Sequence, residues 1–249
     1  MTPMRETNTG NTVSPPLTDA VALVTGGSRG IGRAIALRLA ALGAAVAICG
    51  RDGAALQESS AAIARSGGRV FSQVADVTHS ADVSDLVAKT ESALGPISIL
   101  INNAGIGLFG LAHEKSEADW DRVLGTNLKS AFLVSRAVVP SMIRRGSGDI
   151  INISSLAGRN AFAGGGLYCA SKWGLQGLSA CMAEDLRDFG IRVSVVAPGS
   201  VATGFSGRGP KDATKTLTPE DVAHAVAMVA TQGPQSFLSE IQLRPLRKI

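Results

Sequence analysis

Aromatic side chains are scarce in this chain: they make up 4% of its 249 residues, and a single one is tyrosine. With so few rings there is little to stack bases on. The 24 lysines and arginines are scattered rather than gathered into a stripe, so a nucleic-acid surface has no basis in the pattern. Cysteine is equally sparse, and Cys49, Cys169 and Cys181 form no CxxC pair. That excludes a disulfide scaffold and fits a reducing, cytoplasmic setting. His79, His113 and His224 stand at no metal-ligand spacing, so no metal is expected. No apolar run approaches the roughly 18 uncharged residues that a membrane span needs. The alanine-rich stretch 34–49 is interrupted by Arg38.

What is present is the composition of a folded protein, 45% hydrophobic and 18% charged, with a net charge of +4 that would suit anionic ligands such as phosphates. The first eighteen residues, MTPMRETNTGNTVSPPLT, are rich in Thr, Asn and Pro and lack the apolar core of a signal peptide. They read as a floppy tail. No linker or composition shift divides the remainder, so 19–249 is expected to be one domain.

From residue 20 onward, short apolar runs alternate with longer helical patterns. Strands are expected at 21–24, 45–49, 70–73, 99–101, 150–153, 193–196 and 241–243. Helices are expected near 31–42, 54–65, 81–94, 117–145, 167–189 and 219–231. Strict alternation points to βαβ units, right-handed crossovers and an α/β fold with a doubly wound parallel sheet. The unusual residues all fall just after strands: TGGSRGIG, GRD, ADV, NAG, SSLAG and APGSV. The carboxyl ends of strands are where open α/β sheets bind ligands.

TGGSRGIG (25–32) lies between a strand and a helix. Gly26 permits a tight turn, Gly30 lets the backbone approach a phosphate, and Gly32 allows close packing of helix on strand. YCASK (168–172) places the only tyrosine four residues before Lys172, on one face of a helix.

In these motifs the chain resembles the short-chain dehydrogenases/reductases, in character closest to the 3-oxoacyl-[acyl-carrier-protein] reductase group. The resemblance covers about 20–249 and rests on TGGSRGIG, Asp76-Val77, NNAG (102–105), Asn127, Ser155, Tyr168-x-x-x-Lys172 and PGSVAT (198–203), in that order. It implies a single Rossmann-type domain with a seven-stranded parallel sheet, binding NAD or NADP. The cofactor residues it implies are Gly26, Ser28, Arg29, Gly30, Ile31 and Gly32 in the turn, with Asp76 and Val77 at the adenine. Asn103, Ala104 and Gly105 would line the adenosine side, and Pro198, Gly199, Val201 and Thr203 the carboxamide. Singly, Asp76 also suits a strand-end turn, Asn102 a brace within the sheet, and Asn127 a polar kink in a long helix.

The resemblance also assigns catalysis to Asn127, Ser155, Tyr168 and Lys172. A phenol has an ordinary pKa near 10. A neighbouring ammonium is expected to lower it, making Tyr168 the general acid/base and Lys172 its tuner and a contact of the nicotinamide ribose; the resemblance counts Tyr168 and Lys172 among the cofactor-binding residues too. Ser155 stands thirteen residues before the tyrosine and would hold the substrate oxygen, while Ser154 is expected to face the other way. For the cofactor, Arg51 follows Gly50 where NAD binders usually place a carboxylate; Arg51 and Arg29 favour the 2′-phosphate of NADP(H) over NAD(H). Asp52 reads as the cap of the next helix.

The reading is an NADP(H)-dependent oxidoreductase acting on a small-molecule or acyl-thioester carbonyl, assembled as a homodimer or homotetramer, with no nucleic-acid or membrane partner. The alternatives are an NAD(H)-dependent alcohol dehydrogenase and a non-catalytic dinucleotide sensor. The short segment between 199 and 219 and the ending IQLRPLRKI both depart from the acyl-reductase pattern.

Overall fold

The structure, a computed structural model, describes residues 15–206 and 215–247. Seven strands form one parallel sheet: β1 (Val21–Thr25), β2 (Ala45–Gly50), β3 (Val70–Val74), β4 (Ile99–Asn102), β5 (Gly148–Ile153), β6 (Ile191–Pro198) and β7 (Glu240–Leu243). Their order is β3-β2-β1-β4-β5-β6-β7. The chain therefore runs outward from β1 to one edge and returns to fill the other side beside β4. That reversal opens a crevice between the ends of β1 and β4, the switch point where such sheets bind ligands.

Helices α1 (Gly30–Ala41), α2 (Gly53–Arg65), α3 (Ser80–Leu94), α4 (Glu117–Leu124), α5 (Ser130–Arg145), α6 (Gly166–Leu186) and α7 (Pro219–Ala230) cover both faces. One core packs α1, α2 and α7 on the sheet through Ile35, Leu39, Ile63 and Val226; the other packs α3, α5 and α6 through Leu86, Val138, Met142 and Leu186. Because both faces are covered, β1 is buried at every position, and the inner strands read as continuous apolar runs rather than alternating ones.

Two expectations change. The long helix over 117–145 is two helices, α4 and α5, joined by a π-helical turn at Gly125–Lys129 that carries Asn127. Residues 15–18, expected within the tail, are packed: Leu17 is buried, and its N–H donates to Leu42 O. The rest of that stretch, 1–14, lies outside the described residues. At the amino end of the sheet, away from the crevice, Arg192 makes a two-pronged bond to Asp149 (2.7 and 2.9 Å) and also donates to Gly233 O and Ser236 O. Burial holds the Asp149 carboxyl above its ordinary range even with this partner.

Candidate active site

A cavity of about 1440 Å³ runs along the carboxyl ends of the strands. It is roomier than the roughly 300–1,000 Å³ of a typical small-molecule site, which leaves space for a dinucleotide and a second ligand together. Every residue expected at the site lines it except Gly32 and Asn127, which support it from behind.

At one end β1 runs into the glycine turn. Gly26 and Gly30 have φ of 65° and 52°, a region that favours glycine. A Cβ on Gly32 would stand 2.2 Å from Gly26 O, so α1 can lie this close to the turn only without one. The turn is braced from β4: Asn103 Nδ2 donates to Thr25 O (2.9 Å) and Gly26 O (3.2 Å), while Thr25 Oγ1 accepts from the N–H groups of Asn103 and Ala104, both at 3.0 Å. Asn103 thus spends its side chain on shaping the turn. Asn102 is buried and donates to Ser135 and Asn152, the brace within the sheet that was its plainer reading.

Helix α1 follows Arg29 at its N-cap, with no side-chain cap and no acidic residue in its first turn. Its free N–H groups therefore suit an anion. Beyond lies a rim of four charges. Asp52 Oδ1 accepts from Ala55 N–H (3.1 Å), capping α2 as expected, and its Oδ2 lies 3.2 Å from Arg29. Arg51 stands 3.9 Å from Asp76. Partial burial raises the Asp76 carboxyl, but hydrogen bonds from the Thr78 N–H and hydroxyl, with Arg51, bring it below its ordinary value. The glycine cradle and the open helix terminus fit a dinucleotide phosphate in shape and in free N–H donors, and the rim adds two guanidiniums, each beside a carboxylate.

At the other end, β5 and α6 bring Ser155, Tyr168 and Lys172 together. The Ser155 hydroxyl accepts from Ala157 N–H (3.1 Å) and is hydrogen-bonded to the Tyr168 phenol. Lys172 is buried, at 4% exposure, and its Nζ donates to Ile153 O (2.8 Å), lying 5.9 Å from the centre of the tyrosine ring. Burial holds that lysine down to about 8.

This corrects the expected tuning. The Tyr168 phenol lies above its ordinary value, because burial outweighs the Ser155 bond that pulls the other way. The ammonium is itself desolvated and directs its proton at a carbonyl rather than at the phenol. Ser154 is the second correction. It does not turn away, but is buried with its hydroxyl 3.5 Å from Lys172 O on α6. The strand ends at Ile153, so side-chain alternation no longer governs it.

Asn127 is buried in the π-helical turn. Its Nδ2 donates to Ile106 O and Ser171 Oγ (both 3.0 Å), and its Oδ1 accepts from Ile106 N–H (2.7 Å). It fastens the loop after β4 to α6. The sequence reading missed Phe109, Phe162 and Phe205, which gather around Tyr168. Their signal was faint: each is a phenylalanine in a strand-end loop with glycine one or two residues away.

Sheets of this order with a braced glycine turn at the switch point hold nucleotides, and the phenol, hydroxyl and lysine at the far end of the same cleft are groups capable of acid–base chemistry. Fold and site together define the class of a dinucleotide-linked oxidoreductase. Comparison with known proteins is more particular. The pattern of the short chain dehydrogenases matches residues 20–213, and the chain belongs to that family, whose members are oxidoreductases acting on hydroxyl and keto groups.

Among its relatives is a (3R)-3-hydroxyacyl-CoA dehydrogenase of Rattus norvegicus, 38% identical over 87% of this chain and 91% of the rat protein. A ketoacyl reductase of Nostoc is 39% identical over 84% of this chain and 75% of its own. Among solved structures, a metagenomic short-chain oxidoreductase in complex with NADP superposes with a TM-score of 0.83 at 44% identity, covering 93% of this chain and 100% of that one.

Proposed function

We propose that the protein is an NADP(H)-dependent oxidoreductase that interconverts a ketone-type carbonyl and a secondary alcohol. The observation that carries this reading is the convergence of Ser155, Tyr168 and Lys172 in the cavity whose other end is the glycine cradle. In the reducing direction a hydride and a proton add across C=O. The nicotinamide, when bound, supplies the hydride. Ser155 donates a hydrogen bond to the carbonyl oxygen, where negative charge develops. The Tyr168 phenol, held protonated by burial, then gives its proton to that oxygen. Oxidation reverses the transfer and needs the phenolate, so it should speed up as pH rises, while reduction should fade.

Lys172, fixed by its bond to Ile153 O, would hold the nicotinamide ribose. Asn127 would act through position, keeping the loop after β4 against α6.

For the cofactor, Arg29 and Arg51 flank the end of β2, and Asp52 is committed to capping α2 and to Arg29. That arrangement favours a 2′-phosphate over a bare ribose hydroxyl, and the NADP complex of the metagenomic relative supports it. The acyl-thioester relatives keep a 3-oxoacyl substrate as the second reading. A panel of ketones and 3-oxoacyl thioesters, followed by nicotinamide absorbance with NADPH and with NADH, tests both points. Faster turnover with NADPH is expected, and equal use of the two cofactors would contradict the assignment. Assembly as a homodimer or homotetramer would use the exposed Phe132 of α5 and Trp173 of α6; a monomeric mass in light scattering would contradict that.

A further inference from the structure

The rings so sparse along the sequence are not spread evenly in the fold. Phe109 follows β4, Phe162 precedes α6 and Phe205 follows β6, yet all three line the cavity. The Phe109 ring centre lies 5.5 Å from that of Tyr168 and 6.0 Å from that of Phe162, and the Phe205 centre lies 5.9 Å from that of Tyr168. Both contacts to Tyr168 are edge-on, at 64°, an arrangement favoured by the ring quadrupoles.

The backbone makes room for these rings. A Cβ on Gly107 would stand 2.7 Å from Phe205 and 2.8 Å from Phe109, and one on Gly165 would stand 2.7 Å from Phe162. Gly110 N–H donates to Gly164 O (2.9 Å), tying two of the three loops together. The rings are seated, but Phe162 and Phe205 remain 48% and 42% exposed. Apolar surface gains from leaving water, so rings fixed in place around an open cavity form a ready surface for an apolar ligand. The charged lining residues gather mainly elsewhere. Arg29, Arg51, Asp52 and Asp76 rim the cradle, Arg122 lines the adjoining cleft with Arg51, and Arg244 follows the strand residue paired with Pro198.

We propose that Phe109, Phe162 and Phe205 cradle a flat apolar substituent beside the reacting carbonyl, so that aryl ketones and the matching benzylic alcohols are the preferred substrates. The proposal rests on the reading of Ser155 and Tyr168 given above. A rigid ring meets these walls with little entropy to lose, whereas a flexible acyl chain must give up rotamer freedom to make the same contacts.

The test compares kcat/KM for acetophenone with that for 2-octanone, a linear ketone of equal carbon count, and for a 3-oxoacyl thioester, using NADPH. Acetophenone is expected to lead 2-octanone by about tenfold or more, as ring–ring contacts beyond simple burial predict. That ratio should fall in Phe162→Ala and Phe205→Ala, and also in Phe162→Leu, which keeps much of the bulk without the ring. A merely structural loop role would lower both rates together and leave the ratio unchanged, overturning the proposal. Equal or faster turnover of the linear ketone or the thioester would overturn it too, while the oxidoreductase reading stood. If no carbonyl compound consumed either cofactor, the reading beneath it would have failed, and the proposal with it.

Discussion

The two ends of the cavity are built from different materials. The nucleotide end is mostly backbone: glycines that clear space, helix amides left open, and a turn fixed by Asn103 and Thr25. The reactive end is mostly side chains: a hydroxyl, a phenol and a buried ammonium, walled by phenylalanine rings. Backbone recognition needs particular spacings in the chain, because only glycine fits certain conformations and close approaches. Side-chain recognition needs only that residues far apart in sequence meet in space. The first kind of site shows in a sequence through its glycines; of the second, Ser155, Tyr168 and Lys172 show through the family pattern, while the phenylalanine walls show only in the fold.

The largest expected effect separates the two ends at the phenol. Tyr168→Phe removes the proposed proton carrier while keeping the ring, and turnover should fall by about 10²–10⁴, the usual worth of a general acid. Steady-state rates on any accepted ketone read this directly.

Next in size is a change confined to the nucleotide end. Gly32→Ala pushes a methyl to 2.2 Å from Gly26 O and 2.5 Å from Asn103 Nδ2, so the braced turn must shift. NADPH affinity should drop by about a hundredfold, in line with the several kcal/mol that an overpacked contact costs. Gly177→Ala meets nothing within 4 Å and serves as the control. Equal binding by both variants would mean that the turn does not shape the cofactor site.

Lys172 offers a test in which function and stability oppose each other. Its folded value, about 8, is depressed from 10.5. The unfolded chain therefore binds that proton more tightly, and the folded protein is penalised wherever the lysine is charged. Lys172→Met should lose activity yet raise the melting temperature at pH 7, by at most roughly 3 kcal/mol in stability. The gain should shrink as pH rises from about 8 to 10.5 and vanish above, where the wild-type lysine is neutral in both states. A pH-independent difference in melting temperature would show that burial of the charge is not the cause.

Smaller still is the effect of the exposed rim. Arg51→Ala removes one cation facing the proposed 2′-phosphate, and the preference for NADPH over NADH should narrow by about tenfold, the worth of one charge-assisted bond near solvent. No change in the ratio of the two dissociation constants would move the phosphate away from Arg51.

The same contrast explains what the sequence disclosed. The inner strands were legible because a parallel strand covered on both faces reads as a short apolar run, and the turn at 25–32 was legible because its glycines answer to backbone demands. Tyr168 and Lys172 could be paired from helical spacing together with their place after the SSLAG strand end and the glycine turn. The direction of the phenol's shift was not legible, since it depends on how much water the folded site excludes and on which carbonyl the lysine meets. The break at Gly125–Lys129 was hidden because its residues continue a helical pattern, and Ser154 was misplaced by extending a strand rule one residue past the strand. The phenylalanine cradle comes from loops after β4, β5 and β6, which no local pattern connects.

The claim that the cavity has two separable ends, with Tyr168 belonging to the reactive one, is tested most directly by titrating Tyr168→Phe with NADPH. The account predicts a dissociation constant within about twofold of the wild-type value, because the lost hydroxyl is bonded to Ser155 and the ring is unchanged. A large loss of NADPH affinity, in step with the loss of turnover, would contradict it and make the tyrosine part of the nucleotide site.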